Sequence, residues 1–303
     1  MNEPLISIII PSYNRAWCIK RAIDSCLRQT YQNFEIIITD DGSTDDTQLI
    51  IESYKCNKIK YFKFFKNRGV IKARNNCIIN SNGEWIILLD SDDELLPDCL
   101  SVFSESIVEG IDIIFAHFLN PHTGGSQMSK SYLSKIEKNN ILKFHDLICN
   151  NQSIGDPLPF VKRCVFEKIP YDTHVLRNMS VIWHQFFRIT DVLVLDIYLA
   201  ICHISVSDRI TMNRVRDANL WVEGVQEYLN LFSDDIRACC PSKLSFHYRS
   251  LGIYQFLALD VTNSRKSFIE AIKINPFEIK SLLYLLASFN VNFFNIIISK
   301  KFN

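Results

Sequence analysis

The first hundred residues alternate short apolar runs with segments of helical periodicity, and this alternation limits the folds open to the chain. Residues 5–10, 34–39, 59–65 and 85–89 are short runs rich in β-branched and other apolar side chains. Such runs, with few polar interruptions, are typical of parallel strands buried on both faces. The segments between them carry apolar residues three and four positions apart, as at 15–29. The pattern predicts right-handed β-α-β units and an α/β fold.

The run at 85–89 ends in four acids within five residues, from Asp90 to Glu94. Ligands of open α/β sheets bind beyond the carboxyl ends of the strands, so Asp90 and Asp92 are expected to face a ligand crevice. Two carboxylates there suit Mg²⁺ or Mn²⁺, whose remaining ligands are commonly water and substrate phosphates. A solvated acidic turn is the competing interpretation, because Asp-x-Asp alone is a short motif.

Beyond Pro97 one more helix and one more strand follow, after which the pattern becomes irregular, and residues 127–165 mix short helical stretches with turn residues. Irregular segments of this kind often shape a substrate site. The elements expected in this part are a helix to about Val108, a strand at 111–116, a helix at 180–189 and strands at 192–195 and 197–203.

From Arg216 onward nearly all of the sequence has helical character. We therefore expect two domains, an α/β domain at 1–212 and a helical extension at 213–303. Within the extension, residues 245–278 match the spacing of a tetratricopeptide unit. The matching residues are Tyr248, Leu251, Gly252, Phe268, Ala271 and Pro276. An ordinary helical hairpin is the alternative.

The helical extension is expected to need a partner surface, because one repeat cannot bury its apolar face alone. Docking on the α/β domain is the favoured interpretation, and contact with a protein partner is the alternative. The last stretch, 282–298, is apolar but too short and too polar to span a bilayer. A final helix buried against the preceding unit is favoured over one that lies on the membrane surface.

Charge and cysteine usage bear on partners and location. The chain has 33 basic and 33 acidic residues, so bulk electrostatics do not favour a nucleic-acid partner. Its 10 cysteines lack zinc-ligand or redox spacing and are interpreted as reduced, mostly buried thiols. The first residues do not resemble a signal peptide. These features predict a cytoplasmic protein, with the inner face of the membrane as a possible place of peripheral contact.

A series of motifs in the first hundred residues resembles those of the family 2 glycosyltransferases, which share the nucleotide-sugar-binding fold called GT-A. The motifs, in the family's order, are SIIIPSYNR at 7–15, QTY at 29–31, ITDDGSTD at 38–45, NRG at 67–69, ARN at 73–75 and LDSDD at 89–93. The resemblance covers roughly residues 5–100 and continues more weakly to about 212.

The resemblance implies a GT-A, Rossmann-like domain with a mixed, mostly parallel sheet flanked by helices, and the helical extension lies outside this core. Its donor half would be about 1–116 and its acceptor half about 117–212. The implied activity is that of an inverting glycosyltransferase of the hexosyltransferase type. It would move a sugar from a nucleotide-diphosphate donor, with UDP favoured, to a hydroxyl of a glycan or lipid-linked oligosaccharide, using Mn²⁺ or Mg²⁺.

The resemblance also assigns donor-binding residues. Pro11, Tyr13 and Arg15 match positions around the base and ribose, and Tyr13 offers a stacking face. Asp41 matches an acid that accepts a hydrogen bond from uracil, although a loop or cap role is the competing interpretation. Arg74 matches a basic residue that reaches the nucleotide base or the diphosphate, and a guanidinium suits phosphate because it donates in pairs. A surface helix charge is the alternative for Arg74.

The same resemblance assigns the metal-binding residues. Asp90 matches a carboxylate near the ribose and the metal, and Asp92 matches the direct metal ligand. A bound ion would offset charge on the departing diphosphate. His203 lies where relatives often carry a His or Arg near the diphosphate, and a buried structural His is the alternative.

The general base is the weakest part of the match. Family members commonly supply an Asp or Glu before a Trp-bearing helix, and with Trp183 as the reference, Asn178 and Met179 occupy those positions. Neither side chain can accept a proton usefully. The nearby candidates are Asp172, His184 and Asp191.

Two other functions compete with the transferase. The missing acids motivate a catalytically impaired nucleotide-sugar-fold protein that acts as a binding or scaffold subunit. A nucleotidyltransferase is disfavoured because residues 11–15 contain no glycine.

Overall fold

The computed structural model describes residues 3–121, 140–149, 157–169, 179–203, 218–290 and 292–294. These residues form two compact units. The first takes in the described residues up to Leu147, together with 157–169 and 182–203, and the second takes in Ile148, Cys149, 179–181 and 218–294. The domain boundary expected at 212 lies outside the described residues.

The first unit is built on a mixed sheet, which has nine strands in the described part of the chain. Its order is β3-β2-β1-β4-β8-β6-β9-β5, and β7 pairs with β9. The strands are β1 (Ile6–Ser12), β2 (Phe34–Asp40), β3 (Ile59–Lys63), β4 (Trp85–Leu88), β5 (Glu94–Leu95), β6 (Ile113–Leu119), β7 (Ile141–Leu142), β8 (Leu158–Lys162) and β9 (Val192–Ile201).

Strands β3, β2, β1 and β4 are parallel neighbours, as the alternating pattern predicts. Every residue of β1, β2 and β4 is buried, as is typical of parallel strands covered on both faces. Among the polar residues buried there, Ser7 Oγ donates to Glu35 Oε1 at 2.7 Å. The α/β fold with a mixed, mostly parallel sheet is therefore confirmed.

Strand β8 was not predicted, since it lies in the segment expected to be irregular. It is antiparallel to both β4 and β6 and separates them. Phe160 on β8 stacks between Trp85 and Phe103, with ring centroids 4.6 and 4.8 Å away. This aromatic packing stabilises a strand that contains Pro159, which cannot donate a backbone hydrogen bond.

The helices of the first unit mostly match the periodic segments. They are α1 (Ile19–Leu27), α2 (Thr47–Glu52), α3 (Val70–Asn80), α4 (Cys99–Glu105), α5 (Phe144–Cys149), α6 (Arg163–Lys168) and α7 (Met179–Ile189), of which α5 and α7 extend into the second unit. The two strands expected at 192–203 are one strand, β9, whose pairing with β6 shifts register.

The second unit contains α8 (Ala218–Cys239), α9 (Pro241–Leu257), α10 (Val261–Ile274) and α11 (Ile279–Ala287). One of its buried clusters contains four aromatic residues, Phe256, Phe268, Tyr284 and Phe294, together with Ile253 and Ala287. Helices α9 and α10 pack closely at Gly252, where an added Cβ would lie 2.7 Å from the Phe268 ring. A helical hairpin is therefore present at 245–278, and its membership of the tetratricopeptide class stays a prediction.

Two local features differ from what the sequence suggests. A helix over 15–29 with Asn14 as its N-cap is the natural interpretation of the sequence, but α1 begins at Ile19, and Asn14 adopts a left-handed conformation with φ 51°. The cysteines are not all reduced, because Cys149 and Cys240 form a disulfide with a Cα–Cα distance of 5.5 Å. They are 91 positions apart, a separation that no short spacing rule detects.

Candidate active site

The predicted donor residues lie at the carboxyl edge of the parallel strands. The Asp41 amide donates to the Ser12 carbonyl at 2.7 Å, and the Leu89 amide donates to the Ile9 carbonyl at 3.1 Å. The chain ends of β1, β2 and β4 are thereby adjacent. Tyr13, Asp41 and Asp90 follow these ends, so the parallel register alone brings them to one edge.

The loop after β1 is held by the loop after β2. Asn14 Oδ1 accepts from the Thr44 amide at 2.9 Å, and the Asn14 amide donates to Ser43 Oγ at 2.8 Å. The left-handed backbone of Asn14, tolerated by Asn better than by most residues, makes this reciprocal pair possible. Tyr13 and Arg15 flank Asn14, and Tyr13 remains 41% exposed, which leaves ring surface for a ligand.

Asp41 organises the segment that leads into α3. Its two carboxylate oxygens accept the backbone amides of Arg68 and Gly69 at 2.7 and 2.8 Å. Burial raises the pKa of Asp41, and these two amides oppose the rise. The structure therefore shows the loop-capping role considered above. A carboxylate has further lone pairs, so a bond to a nucleotide base is compatible with this role.

Arg74 lies on α3 and reaches the end of β4. Its Nη2 donates to Asp90 Oδ1 at 2.5 Å. The Arg74 side chain is 14% exposed and that of Asp90 is 49% exposed. Arg74 is thus a largely buried partner of the acidic segment, and Asp90 is held in place while remaining accessible.

The acidic segment concentrates negative charge in a buried place. Burial, followed by the charge of Asp90, raises the pKa of Asp92. Burial and the charges of Asp90 and Asp92 raise the pKa of Asp93 to about 8. Carboxylates that repel each other in this way would be relieved by a divalent cation, and their oxygen atoms are the ligands that Mg²⁺ and Mn²⁺ prefer. The residues present therefore fit such an ion.

Arg21 and His203 close the other side of the acidic segment. Arg21 Nη2 donates to the Asp92 carbonyl at 2.6 Å. The His203 amide donates to Asp93 Oδ1 at 3.2 Å, and His203 Nε2 lies 2.7 Å from Glu94 Oε1. The structure thus brings His203 to the predicted metal residues, with its Nε2 engaged by Glu94.

Sequence reasoning assigned no role to Arg21, Asp93 or Glu94. Asp93 and Glu94 belong to the acidic run noted in the sequence, but the sequence did not show that Asp93 would be buried or that Glu94 would contact His203. Arg21 gave no signal, because it lies on a helix 71 positions from the carbonyl that it contacts.

The candidates for the general base lie in different parts of the chain. Asp191 lies just before β9, whereas His203 follows its other end, and a strand of ten residues spans about 33 Å. Asp191 is therefore not brought to the acidic segment. His184 is half-buried on α7, beside Trp183, whose ring packs edge-on against Phe115 at 5.3 Å. Asp172 and Asn178 lie outside the described residues, and Met179 begins α7.

Comparison with known proteins decides the family. The model of glycosyl transferase family 2 matches residues 7–167, more than half of the chain. The chain belongs to glycosyl transferase family 2. The family predicted from the motifs is thus confirmed, and the protein is a glycosyltransferase.

Relatives of this family 2 member are found across its length. A GalNAc(5)-diNAcBac-PP-undecaprenol beta-1,3-glucosyltransferase from Campylobacter jejuni is 25% identical over 280 residues, which are 89% of each chain. The crystal structure of S. aureus TarS matches with a TM-score of 0.65 and 18% identity, covering 95% of this chain and 54% of TarS. A TarS 1–349 structure in complex with UDP-GlcNAc has a TM-score of 0.56 and 16% identity, covering 88% of this chain and 91% of that one.

A mannosyltransferase from Pyrobaculum calidifontis, solved with GDP-Man and Mn²⁺, matches with a TM-score of 0.58 and 14% identity over 98% of this chain and 87% of that one. These structural matches support the predicted GT-A fold. Among the described residues, no helix combines the length and apolar character needed to cross a membrane.

Proposed function

We propose that this family 2 glycosyltransferase moves a sugar from a UDP-linked donor to a hydroxyl of a lipid-linked glycan, with inversion and with Mn²⁺ or Mg²⁺. The observation that carries the proposal is the Arg74–Asp90 pair beside Asp92, at the carboxyl edge of the parallel strands. The names of the Campylobacter relative and of the TarS and mannosyltransferase complexes agree with a lipid-linked acceptor, a UDP-sugar and Mn²⁺.

Asp90 and Asp92 would hold the ion. When bound, it would supply Lewis-acid stabilisation of the departing diphosphate. Arg74 would donate to the same leaving group, and its contact with Asp90 already restrains the guanidinium before the donor binds. Restraining both groups in advance lowers the entropic cost of forming the reactive complex.

The Ser12 hydroxyl gives independent support for a ligand at this edge. Ser12 ends β1 and is 3% exposed, and its Oγ has no hydrogen-bond partner among the residues that the structure describes. A buried hydroxyl without a partner costs free energy, so such groups call for an explanation. A bound donor that hydrogen-bonds Ser12 Oγ would remove this cost.

The other half of the reaction needs a base that takes the proton of the acceptor hydroxyl as its oxygen attacks the anomeric carbon. Asp191 is separated from the donor residues by the length of β9, which leaves Asp172 and His184 as our candidates. A base variant, Asp172→Asn or His184→Gln, should lose about 10²–10⁴-fold in transfer rate and still bind UDP. If both variants transfer at the normal rate, neither residue is the base.

The deciding experiment for the donor site is calorimetric titration of UDP with and without Mn²⁺. Asp92→Ala should abolish the Mn²⁺-dependent part of the affinity and leave the melting temperature nearly unchanged, because the residue follows a strand end. Asp98→Ala, an exposed acid just before α4, is the matched control. Unchanged Mn²⁺-dependent affinity in Asp92→Ala would refute the assignment. A thermal-shift screen of nucleotide sugars with the intact protein would then identify the donor.

A further inference from the structure

In the second unit, Cys149 lies close to two other cysteines, Cys239 and Cys240. Cys149 ends α5, Cys239 ends α8, and Cys240 directly precedes α9. Cys149 is disulfide-bonded to Cys240, and the Sγ atoms of Cys149 and Cys239 lie within 4.8 Å of each other. The fold thus brings Cys149 to Cys239 and Cys240, which are about 90 positions away in sequence.

Cys149 Sγ, which is bonded to Cys240 and lies within 4.8 Å of Cys239 Sγ, places these sulfur atoms within small shifts of a thiolate metal site. Zn²⁺ binds thiolate sulfur at about 2.3 Å, so the sulfurs of a tetrahedral site lie about 3.8 Å apart. Once the disulfide is reduced, Cys149 and Cys240 need only a small separation to reach this distance. The fourth tetrahedral place is left to water.

The surroundings favour thiolates. Cys240 occupies the N-cap position of α9, and the positive end of a helix dipole favours the deprotonated sulfur. Cys239 is exposed, so an ion can reach the site from solvent. The donor residues Asp90 and Asp92 offer oxygen ligands, which suit hard cations, whereas three thiolates select a soft one.

We propose that, in the reduced protein, Cys149, Cys239 and Cys240 bind a soft divalent cation of the Zn²⁺ class, and that formation of the Cys149–Cys240 disulfide excludes it. On binding, three thiols lose their protons and three sulfur–metal bonds form. On oxidation by a small disulfide such as oxidised glutathione, Cys149 and Cys240 give up two electrons and form the disulfide. The oxidant takes up these two electrons and two protons from water to become two thiols, and the ion leaves as its bonds to the two protein sulfurs break.

The test uses the full chain, reduced and freed of metal, and titrated with Co²⁺ as a spectroscopic probe. The expected result is a thiolate-to-cobalt charge-transfer band that saturates at about one equivalent and disappears when Zn²⁺ is added. Oxidised protein should not show the band. Cys239→Ser should weaken Co²⁺ binding by at least tenfold, and it leaves both disulfide partners in place, so folding can be checked by the melting temperature.

Cys56→Ser is the matched control, because Cys56 is a half-buried free thiol of the first unit. It should show the same thiolate-to-cobalt charge-transfer band as the unaltered protein, and so should Asp92→Ala, because carboxylate ligands do not give this band. Absence of the charge-transfer band in the reduced protein, or an unchanged band in Cys239→Ser, would overturn the proposal.

Discussion

Asp93 makes the stability of the metal-free protein depend on pH in a direction that can be calculated. It is 6% exposed and lies beside Asp90 and Asp92. Burial and these two charges raise its pKa from 3.8 to about 8. In the unfolded chain Asp93 ionises near pH 4, whereas in the folded protein it holds its proton until about pH 8. Folding between these values therefore takes up a proton.

This proton uptake decides whether the free energy of unfolding rises or falls with pH. Below pH 4, Asp93 is protonated in both states and contributes no pH dependence. Above pH 4 the unfolded state binds fewer protons, so the free energy of unfolding falls as pH rises and levels off above about pH 8. Each pH unit is worth at most about 1.4 kcal/mol, so the limit between pH 5 and pH 8 is about 4 kcal/mol. Coupling to Asp90 and Asp92 and local relaxation reduce it to roughly 2–4 kcal/mol.

Asp93→Asn keeps an oxygen that can accept from the His203 amide and removes the ionisation. Urea unfolding in the presence of a chelator, at pH 5, 6, 7 and 8, should show the variant gaining stability over the unaltered protein as pH rises. Asp98→Asn, at an exposed carboxylate, should give a constant difference. If the difference for Asp93→Asn is also independent of pH, the buried protonated carboxyl does not exist.

Three further substitutions test separate contacts. Ser12→Ala removes a buried hydroxyl that has no hydrogen-bond partner among the described residues of the free protein and that a ligand would satisfy. The melting temperature of the free protein should therefore rise in thermal melts, and UDP binding should weaken in calorimetric titrations. Gly252→Ala should destabilise the protein by about 1–3 kcal/mol in urea titrations, because its Cβ would meet the buried Phe268 ring. Arg74→Lys should weaken UDP affinity about tenfold, because an ammonium cannot reproduce the planar fork that contacts Asp90; equal affinity would contradict this.

Much of the donor half could be predicted, because the patterns that identify its strands lie within short stretches of the sequence. In β1, β2 and β4 every residue is buried, so a continuous apolar run was sufficient to identify each strand. Parallel strands then place the residues that follow them at one edge, which is why Asp41 and Asp90 could be expected near each other.

The acceptor half was less accessible to sequence reasoning. Strand β8 owes its place between β4 and β6 to the stacking of Phe160 with Trp85 and Phe103, and these partners are distant in sequence. A five-residue segment that contains a proline carries too little local preference to be recognised as a central strand.

The sequence by itself determined the α/β class, the family and the carboxylates at the end of β4, because periodicity and motif order are properties of short windows. The tertiary structure alone decided that Arg21 would contact the acidic segment, that Asp191 would lie at the far end of β9, and that Cys149 would be bonded to Cys240. Such contacts depend on where distant segments pack, and no spacing along the chain encodes them.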